Sequence, residues 1–207
     1  MIINPKDVLE IIKKGNDRLV NGQCLKRNLN RQIEGTKEGQ FPIVAVLSCI
    51  DSRTPVELVF DLGIGDAFSI RMAGNIISPK VLGSLEFACA IAKAKLIVVM
   101  GHTKCGAVAA AIDCHTNNKL IEEETQCYNL GTIINDIQRV IKKESFKGLS
   151  LKNHDQVMDE VIKQNVIQTI DDIINKSPIL NQLIEERKIE IVGCIYDVTT
   201  GKANFLS

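Results

Sequence analysis

An α/β fold, a central mostly parallel sheet flanked by helices, is predicted by three observations. Apolar runs of strand length recur at Ile43–Ser48, Ala67–Ile70, Leu96–Met100 and Ile189–Tyr196. Helix-start signals follow the early ones, and a helical 3–4 apolar spacing fills much of the second half. Strands that alternate with helices are joined by crossovers, which makes the strands parallel and covers the sheet on both faces.

Asn4 before Pro5 reads as a helix cap and first turn, and Val8, Leu9, Ile12, Leu19 and Val20 carry an apolar stripe to about Val20. Residues 22–40 are polar with little periodicity and read as an arm or loop. After the first strand, Thr54-Pro55 opens a short helix through Glu57, Leu58 and Phe60, which Gly63 ends. Ser78-Pro79 caps a helix through Leu82, Leu85, Phe87 and Ala90, and Cys105-Gly106 starts an alanine-rich one to about Ala111. From Ile121 to about Ile184 the spacing of Ile133, Ile134, Ile137, Val140, Ile141, Val157, Val161, Val166, Ile170, Ile173 and Ile174 is helical. Thr200-Gly201 predicts a hairpin that returns through Ala203–Leu206.

The 207 residues suit a single domain, 1–207, with 1–40 as an N-terminal helical arm and 41–207 as the α/β core. Hydrophobic residues make up 45%, enough for a sizeable core. Lys+Arg and Asp+Glu both count 25, which leaves no basic footprint for nucleic acid. No apolar stretch reaches the ~18 residues of a membrane span, and Met1-Ile2-Ile3-Asn4-Pro5 lacks a signal-peptide profile, so a cytoplasmic protein is expected. The seven cysteines have no regular spacing and are expected to be reduced. Cys89, on a helix face, and Cys194, in a strand, read as core.

Cys49 and Cys105 differ from the rest. Cys49-Ile50-Asp51-Ser52-Arg53 ends the first strand, and His102-Thr103-Lys104-Cys105 ends the third. Two thiols, an imidazole and a carboxylate are zinc ligands, and parallel strands bring their carboxyl ends together where such folds place active sites. Cys49, Asp51 and Arg53 share one side of an extended segment. Cys105 near a helix N-terminus favours the thiolate. Two arrangements are open. With Asp51 on zinc the site is closed. With Asp51 paired to Arg53, zinc keeps Cys49, His102 and Cys105 and an open fourth position, and Asp51 can aim a water.

Either cluster alone is more often structural; their occurrence at matched strand ends is what argues for a metal centre. Gly63-Ile64-Gly65 lacks the third glycine and preceding strand of a dinucleotide site and reads as a turn. His115 and His154 read as surface residues, and Lys142-Lys143 as an ordinary helix face.

The two clusters resemble those of the β-class carbonic anhydrases. Gly39-Gln40-X-Pro42, Arg71-X-Ala73-Gly74-Asn75, Gly83-Ser84-Leu85-Glu86-Phe87, Gly101-His102-Thr103-X-Cys105-Gly106-Ala107 and Gly193-X-X-Tyr196-Asp197-X-X-Thr200-Gly201 look like that family too. The resemblance implies one Zn²⁺ on Cys49, His102 and Cys105, with Asp51 and Arg53 as the catalytic dyad and Asp51 on the metal in a closed state. It implies that Gln40, Phe68 and Phe87 line a carbon dioxide pocket, two of them from across a dimer interface, and that the Gly106 N–H faces substrate. Phe87 stands where the family has a tyrosine, and Met72 where asparagine is frequent. With no Trp in the chain, the resemblance to the subgroup with a tryptophan-based bicarbonate pocket stops there.

The implied fold is four parallel strands and a fifth antiparallel, with the N-terminal helix embracing a partner in a homodimer or homotetramer. The implied reaction is reversible hydration of carbon dioxide to bicarbonate and a proton, by attack of zinc-bound hydroxide. Alternatives are hydrolysis of carbon disulfide or carbonyl sulfide on the same fold, or a zinc-stabilised structural or binding module with a permanently closed site. Thiol redox chemistry at Cys49 or Cys105 is weaker, since neither has a resolving partner in a CxxC.

Overall fold

The computed structural model describes residues 3–141 and 154–206. In chain order the elements are α1 (Pro5–Val20), α2 (Leu29–Thr36), β1 (Val44–Ser48), α3 (Val56–Val59), β2 (Ala67–Arg71), α4 (Pro79–Glu86), β3 (Leu96–His102), α5 (Gly106–Asn117), α6 (Ile121–Thr125), α7 (Leu130–Ile141), α8 (His154–Lys176), α9 (Pro178–Glu185), β4 (Glu190–Tyr196) and β5 (Ala203–Phe205). A 3₁₀ turn spans Ala73–Asn75, and a widened π-type turn, Phe87–Ile91, extends α4.

The sheet runs β2-β1-β3-β4-β5, parallel except for the antiparallel β4–β5 pair. The chain leaves β1 toward one edge for β2 and crosses back over it to β3, so the order reverses between β1 and β3. That is the crevice where open α/β sheets bind ligands. β1 and β3 are buried along their whole length, as strands covered on both faces must be. Val44, Val46, Leu96, Val98 and Met100 pack beneath α1 and α3, while Ala45, Leu47, Ile97 and Val99 pack against α4, α8 and α9.

Asn4 closes a capping box with Asp7 at the start of α1. Its stripe does not wait for a partner molecule: Val8 and Ile12 are fully buried in the chain's own core. Asn16 fixes the helix there, donating to Val59 O (3.0 Å) and Gly201 O (2.9 Å) and accepting from Ala203 N (2.8 Å). The first half of the stripe is therefore seated on the chain's own sheet, while Val20 at the end of α1 stays exposed. The following segment is tied down by the buried Asp61, which accepts from Arg18 Nε (2.5 Å), from Arg27 and from the Leu25 N–H.

Within 22–40, read as arm or loop, α2 is a helix capped by the Asn28 side chain, which accepts from Arg31 N (3.0 Å). It has no buried residue, so its apolar periodicity had nothing to register against. The long helical stretch after Ile121 breaks at Ser177-Pro178, where Ser177 caps α9. Lys142-Lys143 and the side chain of His154 lie outside what is described. His115 is exposed, and Gly63–Gly65 forms a turn. Cys89 and Cys194 are buried core residues, and all seven cysteines are free thiols.

Two stability outcomes follow. Asn16→Leu leaves two carbonyls and one N–H without partners and costs about 2–4 kcal/mol by urea denaturation; a loss under about 0.5 kcal/mol refutes the anchoring role. At Asp61, burial acts to raise the carboxyl pKa, but hydrogen bonds from Arg18 and Arg27 outweigh it and hold the group below the ordinary range. A depressed folded-state pKa stabilises above the unfolded value of about 3.9 and is lost as pH falls through the folded one. Wild type therefore exceeds Asp61→Asn by about 2 kcal/mol at neutral pH, and the gap closes below about pH 4; a gap that persists there refutes the charge-based account.

Candidate metal centre

Ser48, the last residue of β1, pairs with Met100 of β3, so the segments that follow begin side by side. Cys49 leaves β1 at the carboxyl end, and His102 is the last residue of β3 rather than a loop residue. Lys104 then turns the chain with φ +56°, which lets Cys105 cap α5 three residues after His102. The ligand atoms of Cys49, His102 and Cys105 lie within 4.8 Å of one another, and all three residues are buried.

His102 Nδ1 sits 3.0 Å from Thr103 O. A carbonyl only accepts, so Nδ1 carries the proton and Nε2 keeps a free lone pair. That Nε2 is buried and has no hydrogen-bond partner among the described residues. An orphaned imidazole nitrogen facing two thiols is what a zinc ligand looks like without its ion.

The thiols are already polarised for an ion. Cys49 is held below the ordinary thiol range, first by the hydrogen bond from the Cys105 thiol, with the N–H groups of Gly74 and Asp51 adding to it against the effect of burial. The same bond, together with burial, pushes Cys105 up. The two sulfurs lie close enough to share a proton, which a divalent cation held by both would displace. The donor set and its burial fit zinc.

Asp51 lies beside this group and is paired away from it. Arg53 Nε donates to Asp51 Oδ1 (2.9 Å), Nη2 donates to Oδ2 (2.7 Å), and the Arg53 N–H also reaches Oδ1 (2.9 Å). This fork holds the Asp51 carboxyl far below the usual carboxylate range. Asp51 Oδ2 is nonetheless only 4.0 Å from His102 Nε2. Arg53 Nη2 also donates to Lys104 O (3.2 Å), so one guanidinium links the two clusters. Of the two arrangements the sequence left open, the structure has Asp51 on Arg53.

The loop is further braced by residues whose local role the sequence did not reveal. Arg71 on β2 donates to Cys49 O (3.1 Å), to Asp51 O and to Thr54 Oγ1 (3.4 Å). Thr54 Oγ1 in turn donates to Asp51 O (2.9 Å). Thr103 Oγ1 donates to Asp197 Oδ1 (3.2 Å), which ties the His102 segment to the turn before β5. Arg71, Thr103 and Asp197 had stood out only within longer motifs.

A family model described as "Carbonic anhydrase" matches residues 44–203. A carbonic anhydrase 2 of Mycobacterium tuberculosis is 31% identical over 204 residues, covering 97% of this chain and 92% of that one. A carbonic anhydrase of Mycolicibacterium smegmatis is 34% identical over 206 residues, covering 99% and 94%. A crystal structure of a β-carbonic anhydrase from Aspergillus fumigatus superposes with a TM-score of 0.74 at 26% identity, covering 98% of this chain and 90% of that one. The chain belongs to the β-class carbonic anhydrases. One of two tetrameric β-carbonic anhydrases from Sordaria macrospora shares the fold, with a TM-score of 0.71 at 23% identity over 86% of this chain and 90% of that one. The β-carbonic anhydrases are zinc enzymes, in keeping with the Cys49-His102-Cys105 group.

Of the remaining residues singled out by likeness to β-carbonic anhydrases, Gly106 adjoins Cys105, while Phe68 and Phe87 lie apart from the triad within one chain. Phe68 pairs with Ala45, four residues before Cys49, which puts it ~13 Å back along the strands. Phe68 meets Phe87 edge-on, with ring centroids 6.0 Å apart, in a cavity of about 570 Å³ that also includes Lys80 and Ser84 but none of the three ligands. Phe87 is 51% exposed. Gln40 is exposed, with no hydrogen bond to the triad. Gly106 is the first residue of α5, and a side chain there would meet open space.

Metal content checks the site directly. Cys105→Ser is expected to purify with little zinc, and a chelator is expected to lower the melting temperature of wild type but not of this variant. Equal zinc in both proteins overturns the ligand assignment.

Proposed function

We propose that this chain catalyses the reversible hydration of carbon dioxide to bicarbonate and a proton, with zinc held by Cys49, His102 and Cys105. The observation that carries this reading is the Asp51–Arg53 fork beside a buried Cys₂His group in a chain of this family. A structural zinc site has its fourth ligand; here the nearest carboxylate is held off by an arginine.

Zinc, when bound, supplies the Lewis acidity that makes water nucleophilic near neutral pH. Two thiolates oppose that effect by neutralising the ion's charge, so the protein must assist. Asp51 does so as a fixed base: Arg53 keeps it ionised, and Oδ2 retains a lone pair near the triad. It accepts a hydrogen bond from the attacking water and orients the remaining oxygen lone pair toward carbon. His102, locked in one tautomer by Thr103 O, presents Nε2 without rotation of its ring. The backbone N–H of Gly106, at the positive end of α5, steadies the oxygen that gains charge as the carbon–oxygen bond forms. The proton leaves to buffer.

The carbon dioxide pocket is assigned to Gln40, Phe68 and Phe87, some of them provided by a second copy of the chain. The intrachain distance of Phe68 from Cys49 supports this, as does exposed apolar surface at Phe87, Ile50, Leu29 and Ile33. A homodimer, or a pair of dimers, is the expected assembly. We also assign the chain as one domain over 1–207 that works in the cytoplasm. Free thiols at the exposed Cys24 and Cys127 favour a reducing compartment, and among the described residues no helix is long and apolar enough to cross a membrane.

Stopped-flow hydration with a pH-indicating dye tests the reaction. Zinc-loaded protein is expected to accelerate hydration over buffer, and Arg53→Ala to lower kcat/KM about 10- to 100-fold while keeping its zinc. Zinc-loaded wild type with no acceleration refutes the activity, and an unimpaired Arg53→Ala refutes the role of the fork.

A further inference from the structure

The helix that lies behind the metal centre carries a buried amide that belongs to none of the motifs above. Asn165 sits on α8 and is 3% exposed, and its Nδ2 donates to Gly74 O at 2.7 Å. Gly74 belongs to the Ala73–Asn75 turn, and its own N–H donates to Cys49 Sγ at 3.4 Å. One residue is thus held from both sides, by a helix at its carbonyl and by a candidate zinc ligand at its amide.

The backbone at this point is easily misdirected. Gly74 has φ +67° and ψ 15°, and a Cβ there would stand 2.7 Å from Ile137 Cδ1, so glycine is required. Glycine is also the residue with the widest backbone freedom. Without a fixed carbonyl, rotation about its bonds swings the N–H away from Cys49. Among the described residues no second donor to Gly74 O is seen, and the site is buried, so water is a poor substitute.

We propose that Asn165 is a positioning residue for the metal: by pinning the Gly74 carbonyl it restrains the φ and ψ of Gly74, which join that carbonyl to the preceding peptide plane, so that the N–H···S hydrogen bond to Cys49 persists when zinc is bound. An N–H donated to a thiolate withdraws charge from sulfur and fixes its direction, and partners of this kind govern how tightly and in what geometry a metal is held. This rests on zinc occupying the Cys49-His102-Cys105 group.

The test compares Asn165→Leu, close in size but without a donor, with Ile173→Ala, a lesion two turns further along α8 that is buried and remote from Gly74. Zinc transfer to a coloured chelator and the thiolate-to-cobalt charge-transfer band of the Co²⁺-substituted enzyme are read for each, beside the melting temperature. Asn165→Leu is expected to release zinc about tenfold faster or more and to shift the cobalt band. Ile173→Ala is expected to lose melting temperature while keeping both wild-type readings. Wild-type zinc release and cobalt spectrum in Asn165→Leu overturn the proposal, as does the same change in both variants. If Asn165→Leu does not fold, the wild-type protein loaded with ¹¹³Cd decides. A scalar coupling between cadmium and the Gly74 amide proton, transmitted through Cys49 Sγ, is expected, and its absence overturns the proposal. Wild type that takes up neither zinc nor cadmium overturns the metal-site reading itself, whereas wild type that binds zinc with no effect of Asn165→Leu overturns only the role of Asn165.

Discussion

Slip β1 by one residue against β3 and the site disappears. Ser48 lies opposite Met100, and this register starts the Cys49 and His102 segments at the same level of the sheet. A shift of a single position turns every side chain of a strand to the other face. It would carry Ala45 and Leu47 out of the layer formed with Ile97 and Val99, so the apolar pattern that fills the core also sets the level of the thiol and the imidazole. Chemistry and packing are fixed here by the same pairing.

Given that register, the local problem is one of charge. Two buried thiols and a partly covered carboxylate crowd one corner, and each negative group needs compensation. Asp51 has Arg53; Cys49 has the N–H of Gly74; Cys105 lies at the start of α5, where the first amide groups are free to face it. Among the described residues Arg71 pairs with no carboxylate. It splints the loop by binding the carbonyls of Cys49 and Asp51, leaving the charge of Asp51 to Arg53.

The sequence made most of the sheet legible, because its buried parallel strands are short, β-branched apolar runs bounded by turn and helix-start signals, which separates them from buried helices. It also exposed the triad and dyad, since the side-chain types carry their chemistry in their names. What stayed hidden has physical reasons. α2 has only 8 residues, and its apolar stripe is the single pair Leu29 and Ile33, too short a pattern to stand out. Ser177-Pro178 carries the same cap signal as Ser78-Pro79 but lies inside an unbroken apolar pattern, which concealed the start of α9. The stripe of α1 gave no sign of whether it faced its own sheet or another molecule; that was settled by Asn16, which reaches residues more than 180 positions away. The link from α8 to Gly74 is equally nonlocal, and a lone asparagine in a helix announces nothing.

The crossing of Arg53 from Asp51 to Lys104 O has a consequence for Lys104 itself. Its ammonium group is not what the neighbouring arginine contacts; the carbonyl is. That carbonyl is aimed by a left-handed backbone at φ +56°, a conformation that β-branched side chains resist and that asparagine or glycine enters easily. Between the imidazole and the second thiol, the chain therefore asks for a shape rather than a positive charge. Substitution should be tolerated according to curvature, so that an uncharged asparagine does as well there as lysine while an isoleucine does not.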